Sequence, residues 1–187
     1  MTTIHPVDLR SEPLELSLSL PEGAIRYAED IRQIGPLEVK GRAELIEEHG
    51  GPGDVVEDIR LRASYRGRFE LLCARCLEPK EQDLASEFDL IFRPTGVDAR
   101  TGERAISEAE TEIGYYEKSG LVMEDVVREQ VLLSFPDRSL CKPGCKGLCP
   151  HCGQNRNETE CNCDGPTQAD QRWNALAGLA SAVKIEH

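Results

Sequence analysis

The chain has 187 residues, a formal net charge of −12 and a mean hydropathy of −0.44, which is typical of one or two globular domains. No apolar run reaches the about 20 residues of a membrane span, and the first residues lack the basic and apolar segments of a secretory signal. The negative charge excludes indiscriminate binding to nucleic acid. We therefore expect a cytoplasmic protein without membrane contact, in which cysteines stay reduced.

The first ninety residues are predicted to form strands. Residues 14–20 alternate apolar and polar side chains with a period of two and end at a Pro-Glu-Gly turn. Residues 37–46 alternate less cleanly, residues 55–72 alternate charged with apolar side chains, and residues 81–92 are predicted to be the return strand. The glycine-rich residues 50–54 predict a turn. This pattern favours a half-buried antiparallel sheet, or a partly closed barrel.

The following residues predict one packing helix. Residues 94–112 have no apolar period and are expected to form an acidic loop, and residues 113–117 a short strand. A helix is predicted over 120–134, because Met123, Val127 and Val131 form an apolar stripe that Val126 and Leu133 flank, and Pro136 ends it.

The predicted fold class is α+β with a cysteine-rich, metal-stapled tail and a short C-terminal helix after Thr167. Two domains are predicted, a β-rich domain with its packing helix at 1–136 and a metal-binding tail at 137–187.

Six of the eight cysteines lie between residues 141 and 163. The segment Cys-Pro-His-Cys-Gly at 149–153 has the form of a zinc knuckle, because glycine tolerates the positive φ that turns backbone N–H groups toward sulfur. A closed set of four thiolates is structural rather than catalytic, since it leaves no position for water. Zinc is expected, and iron also fits thiolate sites. The predicted ligands are Cys149, Cys152, Cys161 and Cys163.

The other four cysteines permit a second metal site. A set of Cys73, Cys76, Cys141 and Cys145 would hold the tail on the sheet, with the first two at the end of a hairpin. In the alternative, Cys141 or Cys145 replaces a ligand of the first site and the remaining pair is a free dithiol.

A redox enzyme is the remote alternative for the same residues. The sequence Cys-Pro-His-Cys also occurs as the active dithiol of oxidising thioredoxin-like enzymes, where a helix follows it. Here Gly153 and the polar residues 154–157 predict no helix, and no catalytic constellation is visible elsewhere. A non-catalytic protein is therefore expected.

Both cysteine-bearing stretches are locally basic. Residues 60–80 contain six basic and two acidic side chains, and residues 138–157 contain four basic and no acidic ones. These cations are candidate RNA contacts, and the alternative is an ordinary solvated face. The candidates are Arg60, Arg62, Arg66, Arg68, Arg75, Lys142, Lys146 and Arg156.

Several of these motifs resemble the YceD family, the large ribosomal RNA subunit accumulation proteins. Residues 73–79 (CARCLEP) are similar to its C-x-R-C-L-x-P signature, and residues 128–136 (REQVLLSFP) to its E-x-x-L-L-x-x-P stretch. Residues 145–163 match C-x-G-L-C-x-x-C-G-x-x-x-N-x-x-x-C-x-C, and residues 172–176 (RWNAL) resemble the closing helix of the family.

The resemblance implies a bacterial or organelle-derived factor in ribosome assembly. Its expected partner is large-subunit ribosomal RNA or the precursor of that RNA. An acidic adaptor for a basic ribosomal protein is the alternative, and the sequence makes no prediction of oligomeric state.

Overall fold

The structure, a computed structural model, describes residues 2–51, 54–97 and 113–163, without the side chains of residues 48–51 and 54. Within these ranges the chain forms short terminal elements, long central strands and one longer helix. In chain order they are β1 (Thr3–Ile4), α1 (Pro6–Leu9), β2 (Leu14–Leu20), β3 (Ile31–Gly51), β4 (Asp54–Leu72), β5 (Pro79–Pro94), β6 (Ile113–Tyr116), β7 (Leu121–Val122) and α2 (Met123–Leu133).

The predicted α+β class is confirmed, and the sheet is open. Five strands lie in the order β2-β3-β4-β5-β6, all antiparallel except β6, which runs parallel to β5. The two outer strands of this sheet do not pair with each other, so the described strands do not close into a barrel. A separate two-stranded sheet joins β1 to β7.

β3 and β4 are the longest strands of the sheet, with 21 and 19 residues, and they pair with each other. One register shift lies between Ile34 and Glu38, and the pairing then continues past Gly41. A Cβ atom at Gly41 would lie 2.4 Å from the carbonyl oxygen of Arg62 and 2.5 Å from the Cβ of Ala63. Only glycine therefore allows the two strands this close approach.

Alternate residues of β4 line the hydrophobic core. Leu61, Tyr65 and Phe69 are buried, and the core continues into β3, β5 and α2. Phe69 is fully buried and forms edge-to-face contacts with the rings of Tyr27, at 5.4 Å, and Phe135, at 5.3 Å. This aromatic group attaches the chain segments before β3 and after α2 to the sheet.

Helix α2 is held at both ends by hydrogen bonds over long sequence distances. The Tyr65 hydroxyl donates to the carbonyl oxygen of Gln130 at 2.8 Å, near the C-terminal end of the helix. At the other end, the buried Glu124 carboxylate accepts from the backbone N–H of Thr2 at 2.7 Å. A carboxylate is also favourable there because it lies in the first turn of the helix.

The predicted strands over 14–20, 37–46, 55–72, 81–92 and 113–117 are all present. The helix is also confirmed, beginning at Met123 and ending before Pro136, but Leu133 is 71% exposed and does not flank the buried stripe. The predicted start of this helix at residue 120 is wrong, because residues 121–122 form β7, and β1 and α1 were not predicted. Residues 52–53 of the turn, residues 98–112 of the acidic loop and the final helix lie outside the described residues.

Contacts between residues divide the chain into two compact units, Met1–Cys145 and Lys146–His187. Residues 137–145 belong to the first unit, in which Cys141 and Cys145 approach the β4–β5 hairpin. The domain boundary after residue 136 stays a prediction. No helix among the described residues has the length and apolar character needed to cross a membrane.

Replacement of Phe69 tests the core. We expect Phe69→Ala to lower the free energy of unfolding by about 3–5 kcal/mol, because it removes a buried ring and both aromatic contacts. Tyr115→Ala is the control, because Tyr115 is 54% exposed. This substitution should lower the free energy of unfolding by less than about 1 kcal/mol. Urea unfolding followed by circular dichroism measures both, and equal losses would contradict the assignment of Phe69 to the core.

Candidate metal centres

Four cysteines from two distant parts of the chain meet in the first unit. The sulfur atoms of this first cluster all lie within 4.8 Å of one another, with Cys73 to Cys145 at 3.8 Å and Cys76 to Cys141 at 3.6 Å. Three of the four side chains are buried, and that of Cys141 is half-buried. The first cluster consists of Cys73, Cys76, Cys141 and Cys145.

The hairpin between β4 and β5 supplies two of these sulfurs and also attaches the other two. The backbone N–H of Ala74 donates to the carbonyl of Ser139 at 2.8 Å. Arg75 donates from Nη1 to the carbonyl of Cys145 at 2.9 Å, and Lys80 donates from Nζ to the carbonyl of Leu140 at 3.2 Å. Residues 139–145 are therefore bound to the hairpin by hydrogen bonds as well as by sulfur contact.

The second cluster lies within the second unit and is more exposed. Its sulfur atoms also fall within 4.8 Å of one another, but only the side chain of Cys149 is buried and that of Cys152 is exposed. The two asparagines between the cysteine pairs hold the loop, since Asn157 accepts from the backbone N–H of Lys146 and donates to Asn155. The second cluster consists of Cys149, Cys152, Cys161 and Cys163.

The two Cys-x-x-Cys segments share one backbone hydrogen-bond pattern. In the first, the N–H of Cys73 donates to the carbonyl of Glu78 at 2.9 Å, and the N–H of Leu77 donates to the carbonyl of Cys73 at 2.9 Å. In the second, Cys149 donates to Gln154 at 2.8 Å and Gly153 to Cys149 at 2.9 Å. Each first cysteine thus bonds to the residues four and five positions later.

The residue that follows each Cys-x-x-Cys segment adopts a positive φ. Gly153 has a φ of 73°, and Leu77 has a φ of 61° and is the only described non-glycine residue in that region. A side chain there costs about 1–2 kcal/mol. The glycine at position 153 made this turn predictable from the sequence. At Leu77 it was not predictable, because leucine does not favour a positive φ.

Within each cluster, the backbone favours the thiolate at the first cysteine. Burial raises the pKa of Cys73, but the N–H groups of Cys76 and Arg75 outweigh it and lower that pKa to about 6. The N–H groups of Cys152 and His151 likewise lower the pKa of Cys149 to about 6. The sulfur of Cys152 raises the pKa of Cys163 to about 12, because neighbouring thiolates repel each other without a cation.

The arrangement of the sulfurs fits a tetrahedral metal ion. Zinc–sulfur bonds of about 2.3 Å at tetrahedral angles place neighbouring sulfurs about 3.8 Å apart, close to the 3.6 and 3.8 Å in the first cluster. None of the eight cysteines forms a disulfide. Both groups could therefore hold a metal ion, and each would surround it with four thiolates. The identity of the ligands and of the metal stays a prediction.

Three of the candidate RNA contacts form ion pairs across the sheet. Arg60 binds both carboxylate oxygens of Asp89, at 2.8 and 2.7 Å. Arg62 also reaches Asp89, at 3.2 Å, and Arg68 donates to Asp83 at 3.0 Å. The carboxylates come from β5, so the positive charge counted along residues 60–80 is largely balanced by the neighbouring strand.

Arg66 differs from these three arginines. Among the described residues its side chain has no ion pair or hydrogen bond, and Glu38, its partner in the register of β3, accepts from Ser19 instead. Arg66 lines a surface cavity of about 510 Å³ together with Lys40, and the carboxylates of Glu38 and Glu87 line the same cavity. Lys40 was not among the predicted RNA contacts, because it lies on β3, outside the basic stretch of residues 60–80.

The other candidate cations lie at the cysteine segments. Arg75 is exposed and bonds to a carbonyl, so its charge has no carboxylate partner among the described residues. Lys142 is exposed in the first unit, and Lys146 and Arg156 are exposed in the second.

Comparison with known proteins identifies one matching family. The family model described as "Large ribosomal RNA subunit accumulation protein YceD" matches residues 61–180, which include both clusters. No solved structure matches the chain.

Curated proteins are also similar to this chain, and one of them carries the same description. The "Large ribosomal RNA subunit accumulation protein YCED homolog 1, chloroplastic" of Arabidopsis thaliana is 26% identical over 147 residues, which cover 67% of this chain and 46% of that protein. Uncharacterized proteins of Mycobacterium bovis and Mycobacterium tuberculosis are 32% identical over 81 residues, which cover 43% of this chain and 37% of each relative. The chain thus spans less than half the length of these relatives.

Replacement of Gly153 tests the geometry of the turn. We expect Gly153→Ala to raise the metal dissociation constant of the second cluster about fivefold, or about 1 kcal/mol, because alanine is strained at a φ of 73°. Gly144→Ala is the matched control: an added Cβ meets open space at both glycines, but the φ of Gly144 is not positive. Chelator competition measures both variants, and an unchanged Gly153→Ala would contradict the argument.

Proposed function

The chain belongs to the YceD family, and we propose that it is a non-catalytic factor that supports large-subunit ribosomal RNA accumulation by binding that RNA or its precursor. The match of the family model over residues 61–180 carries this proposal, because it covers most of β4, all of β5, β6 and α2, and both cysteine clusters. We propose that it acts in the assembly of the ribosome, in the cytoplasm.

Two of the proposed RNA contacts, Arg66 and Arg75, form no ion pair among the described residues. Contact with phosphates requires cations that can displace counterions, and an arginine already paired with a carboxylate contributes less. Arg66 and Arg75 have no carboxylate partner among the described residues, whereas Arg60, Arg62 and Arg68 do. Further proposed contacts are Lys142 in the first unit and, separately, Lys146 and Arg156 in the second, all of them exposed.

The proposed cofactor is structural zinc, one ion in each cluster. Four thiolates on a divalent ion carry a net charge of −2, so the positive charges of Arg75 and Lys80 beside the first cluster also stabilise it. Zinc held in this way supplies no reactive water and serves only to fix the fold. The turns that follow Cys149 contain no helix, which argues against a dithiol oxidoreductase.

An acidic adaptor for a basic ribosomal protein is the second candidate function. The net charge of −12 and the neutralised arginines of β4 favour it over binding to RNA. Crosslinking separates the two, because an adaptor would crosslink to protein and not to RNA.

Metal content tests the cofactor. We expect two zinc ions per chain, and one ion after either Cys76→Ser or Cys152→Ser, because each substitution removes one of four ligands. His151→Ala should keep both ions, since this exposed side chain lies between two proposed ligands but outside both clusters. Native mass spectrometry counts the ions, and a single zinc in the unsubstituted chain would contradict the two-site proposal.

Ultraviolet crosslinking in cells, followed by sequencing of the attached RNA, tests the function. We expect crosslinks to large-subunit ribosomal RNA that Arg66→Gln reduces severalfold, together with a shallower salt dependence of binding. Arg60→Gln is the matched control on the same face of β4, and it should reduce crosslinking less because Asp89 already balances Arg60. An equal yield from Arg66→Gln and the unsubstituted chain would contradict the proposed contact.

A further inference from the structure

We propose that the outer edge of β2 is a docking site for an extended segment of another protein, in which basic and apolar residues alternate. The segment would pair with β2 and extend the five-stranded sheet by one strand. This inference rests on the fold and goes beyond the proposed function, because it requires neither metal nor RNA.

The outer edge of β2 is unpaired within the part of the chain that the structure describes. β2 is the first strand of the sheet and pairs only with β3 among the described strands. A strand in this position directs alternate backbone N–H and C=O groups outward, where an added strand can bond to them. The carbonyl of Leu20, at the end of the strand, already accepts a hydrogen bond of 2.9 Å from the side-chain amide of Gln33.

β2 also lacks the features that usually protect an edge. Its seven residues contain no lysine, no proline and no bulge, and the register with β3 is unbroken from Leu14 to Leu20. Pro13 and Pro21 lie just outside the strand and do not interrupt it. At about 3.3 Å per residue, the edge is about 23 Å long, which is enough for a strand of ordinary length.

The two faces of β2 specify the pattern of the occupant. Leu14 is 37% exposed and Leu18 is half-buried, so an added strand with apolar residues on the core side would cover them. On the other face lie Ser17, Ser19 and the carboxylate of Glu15. Side chains alternate between the two faces of a strand. If the apolar residues of the added strand lie on the core side, the residues between them therefore lie on the polar face.

Charge then decides what those intervening residues are. Residues 11–23 contain the carboxylates of Glu12, Glu15 and Glu22 and no cation. The side chain of Glu15 is 77% exposed, and its ion pair with Arg42 is long, at 3.8 Å. A second copy of the chain would bring two such acidic edges together and carries the same net charge of −12, so repulsion disfavours it. Lys40 and Arg42 of β3 lie opposite Ser17 and Glu15 on the same face, but a strand added at the outer edge of β2 is one strand spacing further from them than from Glu15, so a basic partner meets the carboxylate first.

A peptide of alternating lysine and valine, seven residues long, tests the proposal with the full chain. We expect its binding to slow amide hydrogen exchange in residues 14–20 and not in β4, which is already paired on both sides. A peptide of the same composition without alternation should bind at least fivefold more weakly, because its lysines and valines would not separate onto two faces. Exchange measured by mass spectrometry gives the location and titration gives the affinity.

Two matched variants complete the test. Ser17→Lys adds a cation to β2 and should weaken binding of the peptide at least fivefold, whereas Ser64→Lys, on the same face of central β4, should change it less than twofold. Both serines are exposed, so the fold should tolerate either change. Unchanged exchange in residues 14–20, equal affinity for both peptides, or concentration-dependent protection of β2 without peptide would each overturn the proposal.

Discussion

The register of β4 within the sheet is the constraint on which the rest of the first unit depends. One set of alternate residues, including Tyr65 and Phe69, faces the core and receives α2 and the flanking segments. The other set places Arg60 and Arg68 opposite carboxylates of β5. Where β4 ends, Cys73 begins the turn that gathers four sulfurs. A shift by one residue would exchange the two faces and bury the arginines.

The two cysteine clusters share one backbone arrangement but differ in burial. The hydrogen bonds around Cys73 and Cys149 follow the same pattern, and in both cases the backbone N–H groups lower the pKa of the first cysteine. Burial separates them, because the first cluster is enclosed by the hairpin and residues 139–145, whereas Cys152 of the second is exposed. Solvent therefore reaches the sulfur atoms of the second cluster more easily than those of the first, although both clusters consist of four cysteines.

Sequence patterns predicted what short-range rules control. Alternation located the long strands, the apolar stripe located α2, and the knuckle motif pointed to the cysteines of residues 149–163. Long-range pairing was less accessible: Cys76 and Cys141 are 65 positions apart, so spacing left two groupings open. Charge counted along the chain likewise missed Asp83 and Asp89, which reach the arginines only after β4 and β5 pair. The short elements β1 and α1 carry too few residues for a detectable period.

The wide sequence separation within the first cluster has a thermodynamic consequence. A metal ion that joined Cys76 to Cys141 would close a loop of about 65 residues and act as a reversible cross-link. In the chain-entropy description of such links, a loop of this size destabilises the unfolded state by about 4 kcal/mol. Strands β5 and β6 and helix α2 all lie inside that loop. During synthesis, the ring cannot close until residue 141 has left the ribosome, so this contribution to stability arrives only after all five strands of the sheet have been made.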